Sequence, residues 1–173
     1  AKKIEDRLRR DRKEKIGEED FSVQTPLQAI SAVTTVLNVV NAVVIGIAAI
    51  SLLIGGIGIT NAMFTSVLER TRDIGIMKAV GAKNSDVLSI FLIESGILGL
   101  LGGSLGILSG MAASKFIEYL VVNVYATNLL KITFPLYLIL GSLSFAFFVG
   151  AIAGLIPAYR ASIIRPVDAL RYE

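Results

Sequence analysis

Three stretches of this chain, near Val40 to Leu68, Val87 to Ala113 and Ile132 to Tyr159, are long and apolar enough to cross a lipid bilayer. A hydrocarbon core about 30 Å thick needs about 20 apolar residues in a helix. Within it every backbone polar group must be satisfied inside the structure, which leaves helices or closed barrels. The stretches are too continuous for the alternating, roughly ten-residue strands of a barrel. The 173-residue chain is therefore expected to be an all-α integral membrane protein with three transmembrane helices. With 54% hydrophobic and only 18% charged residues, it does not have the composition of a soluble domain. Cysteine and histidine are both absent, which excludes disulfides and thiolate metal sites and removes the commonest general base. No catalytic constellation of carboxylates stands out. The chain opens at Ala1 on a charged run without a signal-peptide pattern, as expected of a fragment or a processed product.

Orientation follows from the positive charges within about 15 to 20 residues of a span. Arg70, Arg72, Lys78 and Lys83 follow the first stretch, and Arg160, Arg165 and Arg171 follow the third. The connection between the second and third, 114–131, contributes only Lys115 and Lys131. The segment Glu69 to Asp86 and the C-terminus are therefore expected in the cytoplasm. The N-terminal run Lys2 to Lys15 lies outside by the same reasoning, since long loops escape the rule. Its acids Glu5, Asp6, Asp11 and Glu14 interrupt the basic residues, so it reads as a solvated surface helix and not as a nucleic-acid patch. Gly17 is placed to end that helix, and Phe21 to Thr25, before Pro26, reads as a short strand.

Phe21 to Leu68 contains no charged residue, and a helix from about Leu27 to Leu68 would exceed any bilayer. The excess is expected to project outward as a stalk, because Gln28, Ser31, Thr34, Thr35, Asn38 and Asn41 crowd its N-terminal part. Ile30, Val33, Leu37, Val40 and Val44 repeat at intervals of three and four, the seam of a coiled coil, which predicts packing against another helix. In the second span Gly102, Gly106 and Gly110 recur every four residues, with Ser95, Gly99 and Gly103 on a neighbouring face. Small residues at that spacing let helix backbones approach closely in lipid, within one chain or between two. Glu94, about two turns inside the span, admits two readings: a structural pair with Lys83 or Arg72, or an ion or proton site.

The segment between the first two spans carries both charge signs, an apolar stripe and two glycines. It reads as a short helix on the membrane surface, with Ile74, Met77 and Val80 on one face and Arg72, Asp73 and Lys78 free for a soluble partner. Gly75 and Gly81 would allow close backbone approach or a turn.

Glu69-Arg-Thr-Arg-Asp-Ile-Gly-Ile-Met-Lys-Ala-Val-Gly-Ala82 resembles the signature of the FtsX/MacB-type permeases, the membrane subunits of mechanotransmission ABC transporters. The ending Pro157-Ala-Tyr-Arg-Ala-Ser-Ile-Ile-Arg-Pro-Val-Asp-Ala-Leu-Arg-Tyr-Glu173 and Gly56-Ile-Gly-Ile-Thr-Asn-Ala-Met63 resemble the same family. The resemblance implies that residues 1–26 close an extracytoplasmic domain and 27–68 form the stalk and first span of this chain. It further implies a cytoplasmic coupling segment at 69–86, spans at 87–113 and 132–159, an outer loop at 114–131 and a cytoplasmic tail at 160–173. A further span and most of the extracytoplasmic domain, which the family carries, are not in this sequence. The implied partners are a cytoplasmic ABC ATPase, a second permease copy or paralogue, membrane lipid and an extracytoplasmic protein, with no nucleic acid. The implied docking surface is Glu69, Arg70, Arg72, Asp73, Ile74, Gly75, Met77, Lys78, Ala79, Gly81 and Ala82. No Gly-x-x-x-x-Gly-Lys-Ser/Thr loop occurs, so ATP and Mg are expected on the partner and no cofactor on this chain. The implied role is a multi-pass permease of the cytoplasmic (inner) membrane that carries ATP-driven motion outward. Two alternatives stand beside it: a non-transporting regulator that activates an extracellular enzyme, and an ion-coupled carrier built on Glu94.

Overall fold

In the computed structural model, residues 25–125 and 132–171 are described. The expected N-terminal surface helix and all but Thr25 of the expected strand lie outside them. Every element among the described residues is helical, in the order α1 (Pro26–Glu69), α2 (Thr71–Ala79), α3 (Asn84–Tyr125), α4 (Leu136–Ala153), α5 (Leu155–Ser162) and α6 (Pro166–Arg171). Three of them, α1, α3 and α4, are long and apolar enough to cross a membrane. The chain divides into two compact units, residues 1–51 and 52–173.

In the first unit the helix starts where local chemistry dictates. The Thr25 N–H donates to Gln28 Oε1 at 2.9 Å, and the Gln28 N–H donates back to Thr25 Oγ1 at 3.2 Å. This reciprocal box satisfies two otherwise orphaned donors, and Pro26 occupies the first helical position, where no N–H is needed. The helix then runs 44 residues, more than twice what a bilayer crossing requires.

In the second unit α3 packs along α4 and α5, and α2 packs on α6. The expected second span ends at Ala113, but α3 continues to Tyr125, taking in much of the segment expected to be a loop. Lys115 Nζ donates to Ile132 O at 3.1 Å, tying this extension to the chain entering α4. The third apolar stretch, expected to be one span over 132–159, is instead broken at Gly154 into α4 and α5. Pro157 is the cause: it has no N–H for the carbonyl of Ala153, four residues back, and its ring crowds that carbonyl.

The core lies at the charged end. Met63 and Val67 of α1, Ile74 of α2, Val87 and Phe91 of α3, and Ala158 and Ala161 of α5 form one buried cluster. Apolar faces elsewhere remain exposed, as expected where lipid tails are as apolar as the side chains and burial against protein gains no hydrophobic free energy. At the water-facing end the hydrophobic effect returns and draws the short helices onto the ends of the long ones.

Candidate functional site

The sequence of the charged segment explains each turn of its backbone. Helix α2 ends in a Schellman motif: the Ala82 N–H donates to Met77 O at 3.0 Å and the Gly81 N–H to Lys78 O at 3.1 Å. Gly81 takes φ 109°, the left-handed conformation this motif needs and glycine adopts without strain. Helix α3 then begins with Asp86 in its first turn accepting from the Lys83 N–H at 3.0 Å, a carboxylate at the positive end of the helix dipole.

One face of α2 is internal. Ile74 is fully buried and Met77 partly so, whereas Val80, expected on the same face, is 86% exposed because the chain has already turned off the helix there. Gly75 is the point of close approach: a methyl group on it would lie 2.5 Å from Ala169 Cβ on α6. Lys78, expected to be free for a partner, is turned inward. Its Nζ donates to Ser162 O at 2.6 Å and to Ile164 O at 2.9 Å. Arg72, Asp73, Ile76 and Ala79 are exposed on α2, as are Glu69 and Arg70 before it and Gly81 after it. The docking residues expected from the sequence are thus split. Ile74, Gly75 and Lys78 hold α2 to the core and the tail, while Arg72, Asp73 and Ala79 present an outward surface.

Glu94 pairs neither with Lys83 nor with Arg72. Its Oε1 lies 3.3 Å from Nη1 of Arg70, so its partner is the residue linking α1 to α2. Arg160 of α5 stacks over Phe64 of α1, 5.3 Å from the ring centroid. A cleft of about 420 Å³ opens between Leu68, Glu69, Thr71 and Arg72 on one side and Ile164 and Ala169 on the other.

Two further contacts join the long helices. Thr60 Oγ1 donates to Ala153 O at 2.7 Å, supplying the hydrogen bond that Pro157 cannot. The same hydroxyl lies 3.0 Å from Gly56 O in its own helix. The signal for Thr60 was in the sequence as a proline inside an apolar run, but the residue that answers it stands 93 positions away. Helix α3 meets α4 through Ser95, Gly99 and Gly103. A methyl on Gly99 would come within 3.0 Å of the Gly150 Cα, so the two backbones touch. Among the described residues, a methyl group on Gly102, Gly106 or Gly110, the all-glycine row, would meet nothing within 4 Å; the neighbouring face does the packing within this chain. The stalk residues Ile30, Val33, Leu37, Val40 and Val44 are likewise 52–63% exposed.

Residues 45–166 match the family model described as "FtsX-like permease C-terminal". The chain is 42% identical over 178 residues to an uncharacterized ABC transporter permease of Methanocaldococcus jannaschii, with 99% of the chain and 43% of that protein covered. It is 40% identical over 157 residues to a macrolide export ATP-binding/permease protein, MacB, of Wolinella succinogenes, covering 91% of the chain and 23% of that protein. Against the uncharacterized ABC transporter permease YknZ of Bacillus subtilis it is 36% identical over 156 residues, with coverages of 90% and 38%. The chain thus spans less than half the length of these relatives.

Proposed function

The chain belongs to the FtsX-like permease family, and on that footing we propose that it forms the membrane portion of an ABC transporter permease of the mechanotransmission type. In this reading a cytoplasmic ATPase binds the outward face of α2, and its movement on ATP binding and hydrolysis is carried through the membrane to work on a substrate outside. ATP and Mg belong to the partner, and this chain supplies no step of the hydrolysis. In the same reading the protein sits in the cytoplasmic membrane, with the charged end inside.

One observation carries this reading. The exposed charges Arg72 and Asp73 stand on a helix whose opposite face is packed into the cluster where α1, α3 and α5 meet. A push on α2 is therefore delivered to the long helices, because a close-packed core of low compressibility transmits displacement. A solvated loop would absorb it. The exposed seam from Ile30 to Val44 and the open row Gly102, Gly106 and Gly110 fit a second permease copy or a paralogue beside this one. Export is preferred to regulation of an extracellular enzyme because several relatives carry export in their names.

The test is charge reversal in the full-length permease co-expressed with its ATPase. Arg72→Glu and Asp73→Lys are expected to lower ATPase retention on the purified permease at least tenfold and to abolish permease-stimulated hydrolysis. Unchanged retention together with unchanged hydrolysis in both variants would sink the docking reading.

A further inference from the structure

Lys78 has a chemistry the docking reading does not use. The last turn of α5 leaves carbonyls without helical donors. The Ile163 N–H turns back to Arg160 O and the Ile164 N–H to Ala161 O, each at 3.4 Å, which satisfies two of them. Ser162 O and Ile164 O accept in neither of those turns, and the Lys78 ammonium takes both, at 2.6 and 2.9 Å. The cation thereby sits at the negative end of the α5 dipole and in the last turn of α2. Ile74, four residues earlier on α2, shares the buried cluster with Ala158 and Ala161 of α5, and Gly75 lies against Ala169 of α6. Spacings of three and four put Ile74, Gly75 and Lys78 on one side of the helix. Arg72 and Asp73 remain exposed.

We infer that Lys78 is a positioning residue that joins α2 to the C-terminal tail, so that α2, α5 and α6 move as one lever under the ATPase. This rests on the proposed docking role of α2 and deepens it: the partner's stroke enters the membrane through α5 and α4 as well as through α1 and α3. Apolar contacts alone could let α2 slide over the tail. Two charge-assisted hydrogen bonds to backbone carbonyls set its register, because both acceptors are fixed by the fold.

The experiment compares Lys78→Met, Lys78→Gln and Lys78→Arg in the full-length permease reconstituted in vesicles with its ATPase. Three quantities are read: ATPase affinity, permease-stimulated hydrolysis, and amide hydrogen exchange over residues 160–169. Lys78→Met is expected to bind the ATPase within threefold of wild type, yet lose at least fivefold in stimulated hydrolysis and exchange at least tenfold faster over the tail. Lys78→Arg, which keeps charge and donors, recovers at least half of both losses, and Lys78→Gln falls between. A tenfold loss of affinity in Lys78→Met, matching Arg72→Glu, would overturn the proposal by making Lys78 a contact residue. Unchanged hydrolysis or unchanged exchange overturns it as well, and so does failure of both Lys78→Met and Lys78→Gln to fold, which makes Lys78 a folding requirement. If Arg72→Glu and Asp73→Lys leave docking intact, the docking reading fails while the exchange data still report on the joint.

Discussion

Thr60→Val tests whether the break in the third apolar stretch is held by a hydroxyl from α1. The substitution keeps the shape of the side chain and removes the donor that reaches Ala153 O at 2.7 Å. Thr60 itself loses little, since a hydroxyl can also bond Gly56 O at 3.0 Å whether or not the helices are together. The loss falls on Ala153 O. Pro157 denies that carbonyl its helical donor in every state of the inserted chain, so only the packed state satisfies it. Hydrogen bonds between membrane helices average about 0.6 kcal/mol and reach about 1.7, while leaving a buried acceptor bare costs about 1–3 kcal/mol. Because the unpacked chain offers Ala153 O no alternative donor, the upper part of the first range applies. Thr60→Val should cost about 1.5 kcal/mol, roughly tenfold in the unfolding constant. The assay is reversible detergent-induced unfolding of the full-length permease in mixed micelles. Thr60→Ser should lie within about 0.5 kcal/mol of wild type, because it keeps the donor. The decisive measurement is a double-mutant cycle with Pro157→Ala, which returns an N–H to the carbonyl of Ala153. In that background Thr60→Val should cost less than about 0.5 kcal/mol, a coupling of about 1 kcal/mol. Strict additivity of the two substitutions would refute the reasoning, as would Thr60→Ser costing as much as Thr60→Val.

Other substitutions probe the remaining contacts. Gly99→Ala should destabilise the permease by about 1–3 kcal/mol, because its methyl group meets the α4 backbone, which cannot move aside as a side chain can. Gly102→Ala should leave the chain's own stability unchanged or raise it by up to about 1 kcal/mol, measured by the same unfolding assay. Glu94→Gln removes an ion pair whose side chains are 55% and 30% exposed, so it should cost no more than about 1 kcal/mol and leave transport intact in a vesicle assay. Abolished transport would return Glu94 to the role of an ion site. Leu37→Cys, placed in the otherwise cysteine-free stalk seam, should form a disulfide between two permease copies under mild oxidation in membranes. Absence of that product, with Leu27→Cys as an off-seam control cross-linking equally well or better, would remove the coiled-coil reading.

Hydropathy by itself determined the class of this protein. In a bilayer the backbone must bond within its own segment, so a long apolar run becomes a helix whatever its neighbours do. Punctuation was equally local: Thr25, Pro26 and Gln28 write the start of α1, Gly81 writes the end of α2, and Pro157 writes a break. Which faces meet was not local. Gly102, Gly106 and Gly110 repeat at the same interval as Ser95, Gly99 and Gly103, yet α4 lies on the second row, because the rotation of α3 is set by everything packed around it. Lys78 and Arg72 look alike in the sequence, and only the approach of α5 turned one inward and left the other outside. Glu94 took Arg70 in place of Lys83 or Arg72 because the short link after α1 brings that guanidinium beside α3. Side-chain roles that depend on a partner far along the chain came from the tertiary structure, since nothing within one helical turn encodes which distant group will arrive.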